Sequence, residues 1–123
     1  MSSASFDSVP RIDYAVIAQI RQLESVRPGL AKHLVEVFER NAKQFFADIA
    51  GCLAANDMET LRIGFHSMKG PAGSLGAQRL SHIAGIAERA AVGDSGAGPV
   101  DIVAKHLQDE FEAVRTELAQ AAV

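Results

Sequence analysis

The residue with the clearest chemical potential is His66, in the stretch GFHSMKGPAGSLGA that runs from Gly64 to Ala77. Imidazole is a good nucleophile near neutral pH because much of it is unprotonated. Arg62 lies one helical turn before His66 and Lys69 lies one turn after it, so two cations flank the ring if the stretch is helical. This pattern indicates chemistry at the imidazole that involves an anion.

The same stretch carries four glycines and a proline, although its flanks are typical of a helix. Each glycine in a helix costs roughly 0.5–1 kcal/mol relative to alanine. On a helical wheel with His66 at zero, the apolar core stripe falls between roughly 180° and 260°, which places His66 toward solvent. Gly70 and Gly73 fall within about 40° of His66, so these glycines lie away from the stripe where close packing would need them.

A helix that gives up stability to uncover one imidazole indicates chemistry at that ring. Together with the flanking cations, this pattern favours a phosphoryl group that arrives on another protein, and such a protein is too large to enter a pocket. Two plainer interpretations stay open at this point. His66 could be an ordinary surface histidine, and the helix could simply break at Gly70 and Pro71, because Pro71 cannot donate a hydrogen bond to the carbonyl of Ser67. Ile63 lies about 60° from His66, where it is either the edge of the core or an apolar docking contact, and we favour docking.

Apolar residues recur at helical spacing in five segments, and no segment alternates with period two. A short first helix covers residues 12–23, and longer helices follow over residues 28–53, 58–75, 80–91 and 99–118. Short connections between the four longer helices predict an antiparallel up-down four-helix bundle, with the short additional helix at one end. We therefore expect an all-α fold in which residues 1–10 form a flexible tail and residues 11–123 form a single domain.

Composition narrows the classes of function. The net charge of -3 argues against nucleic-acid binding, and no apolar run is long enough for a membrane span. The single cysteine, Cys52, fits a reducing compartment, and the first residues lack the pattern of a signal peptide, so we expect a cytoplasmic protein.

A metal site is not expected from the remaining histidines, His33, His82 and His106. They lie on different predicted helices, and none of the four histidines follows a glutamate by three residues, as the ligands of di-iron bundles do. The chain also has no glycine-rich ATP loop of the P-loop type and no acidic cluster suited to Mg²⁺, and we expect no cofactor.

The stretch FHSMKGPAGSLGAQRL resembles the motif of histidine-containing phosphotransfer (HPt) domains, in which a His is followed three residues later by Lys-Gly. His66, Lys69 and Gly70 match that core, and IAERAA further along resembles the usual end of the next helix. The resemblance implies that His66 is the phosphorylated residue, that Lys69 stabilises the phosphoryl group or orients the partner, and that Gly70 leaves room for it. Gln78 matches a glutamine near the site in some members. Pro71 stands where a small residue is commoner.

The family resemblance implies a phosphocarrier that is not an enzyme by itself, because the receiver domain would supply the metal and the acidic groups. It would relay a phosphoryl group between receiver-domain aspartates in a multistep two-component phosphorelay. We expect a monomer whose partners are response-regulator receiver domains, a receiver of a hybrid histidine kinase among them, with Arg62, Ile63 and Gly73 also facing the partner. The alternative is a helical adaptor that is never phosphorylated and sequesters a kinase or receiver.

Overall fold

Helices account for most of residues 4–122, which a computed structural model describes. No strand occurs within this range, so the all-α prediction is confirmed. The helices are α1 (Ala4–Asp7), α2 (Tyr14–Gln22), α3 (Leu30–Ala54), α4 (Met58–Ser74), α5 (Gln78–Ala91) and α6 (Val100–Ala121), with 3₁₀ turns at Leu23–Ser25 and Ser95–Ala97. None of these helices is both long and apolar enough to cross a membrane.

Helices α3 to α6 form the four-helix bundle, and its core is centred on aromatic rings. Phe46 of α3 lies 5.1 Å from Phe111 of α6, and Phe45 lies 5.3 Å from Phe65 of α4 in an edge-to-face arrangement. α4 and α5 run antiparallel. Gly73 near the end of α4 lies beside Ser81 near the start of α5, and His66 in the middle of α4 lies beside Glu88 near the end of α5. The predicted bundle is therefore confirmed, and α2 is its short additional helix.

α4 begins and ends at defined signals in the sequence. The Asp57 carboxylate caps its start by accepting hydrogen bonds from the backbone N–H and the hydroxyl of Thr60. At its end, Gly76 has a φ of +84°, and the N–H groups of Gly76 and Ala77 donate back to the carbonyls of Gly73 and Ala72. This is a Schellman motif, in which glycine is the usual residue at the left-handed position. Gly76 therefore ends α4.

The described part of the predicted tail packs against the bundle, which differs from the expectation of a flexible segment. Phe6 is only 3% exposed and its ring lies 5.1 Å from that of His106 on α6. Arg79 donates a 2.7 Å hydrogen bond to the carbonyl of Val9. A single aromatic residue in a polar segment shows no periodicity, so the sequence pattern did not reveal this contact. Residues 1–3 of the predicted tail lie outside the described residues.

Pro71 lies inside α4, and the helix continues past it to Ser74. The interpretation in which the helix breaks at Gly70 and Pro71 is therefore wrong. Gly64 differs from Gly70 and Gly73, which the helical wheel places away from the packed stripe. A Cβ atom at Gly64 would overlap the ring of Phe45, so this glycine allows α3 and α4 to approach each other.

Candidate functional site

The exposed face of α4 carries His66, as the helical wheel predicts. Leu61, Phe65, Met68 and Ala72 form the opposite, buried face of the helix and fix its rotation about its own axis. The His66 side chain is 64% exposed. A packed face behind an exposed ring means that the helix is held firmly while the imidazole remains open to another surface.

Glu88 on α5 links His66 to Lys69. One carboxylate oxygen, Oε2, lies 2.7 Å from His66 Nδ1, and the other, Oε1, accepts a hydrogen bond of 2.8 Å from Lys69 Nζ. The hydrogen bond from Lys69 is the largest cause that lowers the pKa of Glu88, and the bond from His66 adds to it. Glu88 is therefore a carboxylate at neutral pH, held at both oxygens.

The contact with Glu88 determines which tautomer of His66 we assign. A carboxylate only accepts hydrogen bonds, so the ring nitrogen beside it, Nδ1, must carry the hydrogen. In a neutral imidazole the lone pair then belongs to Nε2. The site therefore presents an exposed imidazole whose Nε2 is the nucleophilic atom.

α5 also holds the stem of Lys69 in place. The Ser81 hydroxyl donates a 2.9 Å hydrogen bond to the Lys69 carbonyl. Gly85 lies under the lysine stem, where an added Cβ would already be 3.4 Å from Lys69 Cδ. Ser81, Gly85 and Glu88 thus form one stripe of α5 along the edge of the site.

The two glycines near His66 have different surroundings. An added Cβ at Gly70 would meet nothing within 4 Å, whereas one at Gly73 would lie 3.3 Å from the Ser81 hydroxyl oxygen. Both positions are exposed, as the wheel predicts. Gly70 is therefore the one that leaves open space beside the imidazole, and Gly73 lies at the seam between α4 and α5.

Arg62 lies beside the site but its guanidinium is engaged. It donates two hydrogen bonds to Glu59, from Nε at 3.0 Å and from Nη2 at 2.6 Å, and these bonds are the main cause that raises its pKa. Ile63, one residue further on, is 51% exposed and offers an apolar surface next to His66. Of the two predicted cations, Lys69 is the one joined to the imidazole network.

Gln78 does not lie at the imidazole. It begins α5, ten residues before Glu88, which corresponds to about 15 Å along the helix. It lines a shallow depression with Gly73, Gly76 and His82 instead. The structure thus places Glu88, and not Gln78, against the ring.

An apolar groove of about 570 Å³ runs between α3 and α4 on the other side of the site. Leu34 and Val37 of α3 line one wall, and Met68 and Pro71 of α4 line the other, with His33 at the rim. Within residues 4–122, no three His, Cys, Asp or Glu side chains are grouped so that they could hold a metal ion.

The comparison with family models decides the family. The model described as Hpt domain matches residues 33–121, a range that contains α4, α5 and the whole His66 network. The chain belongs to the Hpt domain family. The resemblance in the sequence is thus confirmed, and His66 is the histidine of this Hpt domain's HxxKG motif.

Two known proteins are similar to this Hpt domain. The phosphorelay intermediate protein YPD1 of Candida albicans is 32% identical over 71 residues, which cover 58% of this chain and 39% of the relative. The chain thus matches about two fifths of that relative's length. A solved structure of a histidine-containing phosphotransfer protein from rice superimposes with a TM-score of 0.76, covering 91% of this chain and 80% of that one at 20% identity, and so shares the fold.

Glu88 is the site residue that the sequence reasoning missed. It lies in IAERAA, the segment that resembles the end of the next helix in Hpt domains, but nothing in that segment pointed to His66. The available signal was helical spacing, since Ser81, Gly85 and Glu88 recur on one face of α5. That face becomes informative only once the register between α4 and α5 is known.

Proposed function

We propose that this Hpt domain carries a phosphoryl group on Nε2 of His66 between the aspartates of two receiver domains. The observation that carries the proposal is the exposed imidazole whose Nδ1 is held by Glu88, with Lys69 on the same carboxylate. The relative from Candida albicans is a phosphorelay intermediate, which supports a relay function for the matched region.

In the accepting step, the Nε2 lone pair attacks the phosphorus of an aspartyl phosphate. The N–P bond forms, the O–P bond breaks, and its electron pair leaves with the receiver's carboxylate. Phosphoryl transfer depends mainly on positioning and on stabilisation of charge, so a carrier needs few catalytic groups of its own. The receiver would supply the metal ion and the acidic residues, and this chain would supply His66 and Lys69.

The surface around His66 suits the approach of a folded partner. Gly70 leaves open space beside the ring, and Ile63 adds an exposed apolar side chain of the kind that fits the core of an interface. We assign Arg62, Gly73 and Gln78 to the rim of the same contact surface. The protein would act as a cytoplasmic monomer that binds response-regulator receivers, a receiver of a hybrid histidine kinase among them.

The test is transfer from a phosphorylated receiver domain to this protein, followed by the stability of the label. Phosphohistidine is labile in acid and stable in base, so we expect a label with those properties on the parent. His66→Gln should abolish it while the thermal melt stays close to the parent's, because an exposed side chain contributes little packing. Label that persists in His66→Gln would move the site to His33, His82 or His106, and a parent that binds the receiver without label would indicate an adaptor.

Lys69→Ala tests the second residue. Loss of a positive charge beside the phosphoryl group should slow transfer by about tenfold, a smaller effect than in a buried site because the ammonium is half exposed. Lys105→Ala is the matched control, since Lys105 forms an exposed pair with Asp109 on α6. Equal rates for Lys69→Ala and the parent would make Lys69 an ordinary solvated lysine.

A further inference from the structure

Pro71 leaves one backbone carbonyl of α4 without its usual donor. In an α-helix the carbonyl of each residue accepts a hydrogen bond from the N–H four positions later. Proline has no N–H, so the carbonyl of Ser67 loses that partner although α4 continues to Ser74. On the α5 side of the same helix, the carbonyl of Lys69 instead gains a donor, the Ser81 hydroxyl. The Ser67 carbonyl therefore has free acceptor capacity in the middle of a helix.

This carbonyl lies on the side of His66 that faces the groove between α3 and α4. At about 100° per residue, Ser67 and Pro71 lie roughly 100° and 140° from His66 on the helical wheel. Lys69 lies roughly 60° from the ring in the opposite sense. Ser67 and Pro71 both line the groove, and both are exposed. Beside them Gly70 has no side chain, so the carbonyl is open to an approaching surface.

A partner that reaches His66 also covers this carbonyl. Ser67 is the next residue of the helix, and protein interfaces extend over about 800 Å² on each partner, far more than one helical turn. The groove wall opposite Pro71 is apolar, with Leu34 and Val37 of α3. Docking therefore displaces the water that hydrates the free carbonyl, and a carbonyl that is buried without a donor weakens binding.

We propose that the Ser67 carbonyl is a specificity-determining acceptor, which selects receiver domains that present a hydrogen-bond donor beside their aspartate. The inference rests on the proposed phosphotransfer function, and Pro71 is the residue that keeps the acceptor free. A receiver with a hydroxyl, amide or basic group at this point pairs with the carbonyl, whereas one with only apolar atoms leaves it unpaired. A site with a buried polar group discriminates more strongly than an apolar contact does. The role concerns binding and not the transfer step.

Two replacements of Pro71 separate the N–H from the shape of the proline ring. Pro71→Ala restores the N–H and so occupies the Ser67 carbonyl. Lactate at position 71 has the same methyl group, with an ester oxygen in place of the N–H. We expect the receiver domain that transfers label to the parent to bind Pro71→Ala about tenfold more weakly than the lactate form, by calorimetry. The KM for transfer should rise by the same factor, with kcat unchanged.

The carbonyl itself can be observed by NMR. Ser67 and Met68 form the only Ser-Met pair in the sequence. Protein with serine labelled at the carbonyl with ¹³C and methionine labelled with ¹⁵N therefore gives one ¹³C–¹⁵N correlation, from Ser67. A hydrogen bond moves a carbonyl resonance downfield. We expect the receiver to move this resonance downfield in the parent, whereas in free Pro71→Ala it already lies downfield and the receiver leaves it there.

Lactate at Ala119 is the matched control, because it frees the carbonyl of Arg115 on α6, a helix that carries none of the site residues. This protein should bind the receiver as the parent does. Equal affinities of Pro71→Ala and the lactate form would overturn the proposal, as would a Ser67 resonance that the receiver does not move. A receiver that binds the parent but transfers no label would instead contradict the proposed function, and the carbonyl resonance would still decide the role of Ser67.

Discussion

Glu88 and Glu110 each lie beside two basic side chains, yet their surroundings shift their pKa values in opposite directions. Glu88 lies at the rim of the site, and the hydrogen bond from Lys69 lowers its pKa. Glu110 on α6 is only 6% exposed, and burial raises its pKa although Arg11 donates a hydrogen bond of 3.0 Å and Arg79 lies 3.8 Å away. Burial therefore outweighs pairing at Glu110, whereas pairing outweighs burial at Glu88.

The contrast shows two uses of the same residue type. Glu110 fastens the segment before α2 to the bundle, since Arg11 comes from that segment. Glu88 remains charged and reachable, which suits a group that orients a reacting ring. The predictions below test this contrast, beginning with the largest expected effect.

Removing the buried carboxylate of Glu110 should cost more stability than removing the partly exposed carboxylate of Glu88. We expect Glu110→Ala to lower the free energy of unfolding by about 2 kcal/mol, because it leaves Arg11 and Arg79 without their shared partner. Glu88→Ala should cost less than about 1 kcal/mol, since its ion pairs are screened by solvent. Urea unfolding followed by circular dichroism measures both, with Glu117→Ala as the control for the exposed partner of Arg11. Equal losses for the two glutamates would contradict the contrast.

Alanine substitutions should affect stability differently at Gly76, which ends α4, and at Gly70, which lies beside the imidazole. Gly76→Ala should destabilise the fold by about 1–2 kcal/mol, because φ is +84° and an added Cβ would lie 2.8 Å from the carbonyl oxygen of Asp13. Gly70→Ala should change the stability by less than about 1 kcal/mol, because the better helix propensity of alanine is offset by crowding between its Cβ and the ring of Pro71, the next residue. Thermal and urea melts measure both effects. Equal losses of stability for Gly70→Ala and Gly76→Ala would contradict this difference.

The two glutamates should also give opposite pH dependences. The pKa of Glu110 is raised above its ordinary 4.5, so the stability from its protonated form is present below pH 4.5 and is lost as pH rises through the folded-state pKa. The pKa of Glu88 is lowered, so its contribution is present above pH 4.5 and is lost as pH falls through the folded-state pKa.

The measurement is the difference in unfolding free energy between the parent and each Glu→Gln variant, from pH 3 upward. The unfolding free energy of the parent, relative to that of Glu110→Gln, should fall as pH rises above 4.5. Relative to that of Glu88→Gln, it should fall as pH drops below 4.5. Taking differences removes the titration of groups that both proteins share. Two slopes of the same sign would show that burial does not distinguish these carboxylates.

Features that repeat along one helix could be predicted from the sequence. The 3.6-residue period of α4 correctly predicted an exposed His66, with Gly70 and Gly73 on the same face. The left-handed glycine at position 76 likewise marked the end of the helix. These features depend on residues within about one turn of each other, so no knowledge of the tertiary structure is required.

Features that depend on a neighbouring helix were missed. Glu88 meets His66 across 22 positions of the chain, and Gly64 meets Phe45 across the α3–α4 contact, so both depend on how helices are aligned side by side. Phe6 depends on where the chain before α2 crosses the bundle. Helical periodicity describes each helix alone and carries no information about that alignment.

The attachment of residues 4–13 has a consequence for the order of folding. Arg11 contacts Glu110 and Glu117 across 99 and 106 positions of the chain, and Phe6 contacts His106 across a similar span. Closing so long a loop has a high entropic cost until the intervening helices are packed. During synthesis residues 4–13 leave the ribosome before α6 does, so they acquire these partners only after α6 has been made and packed.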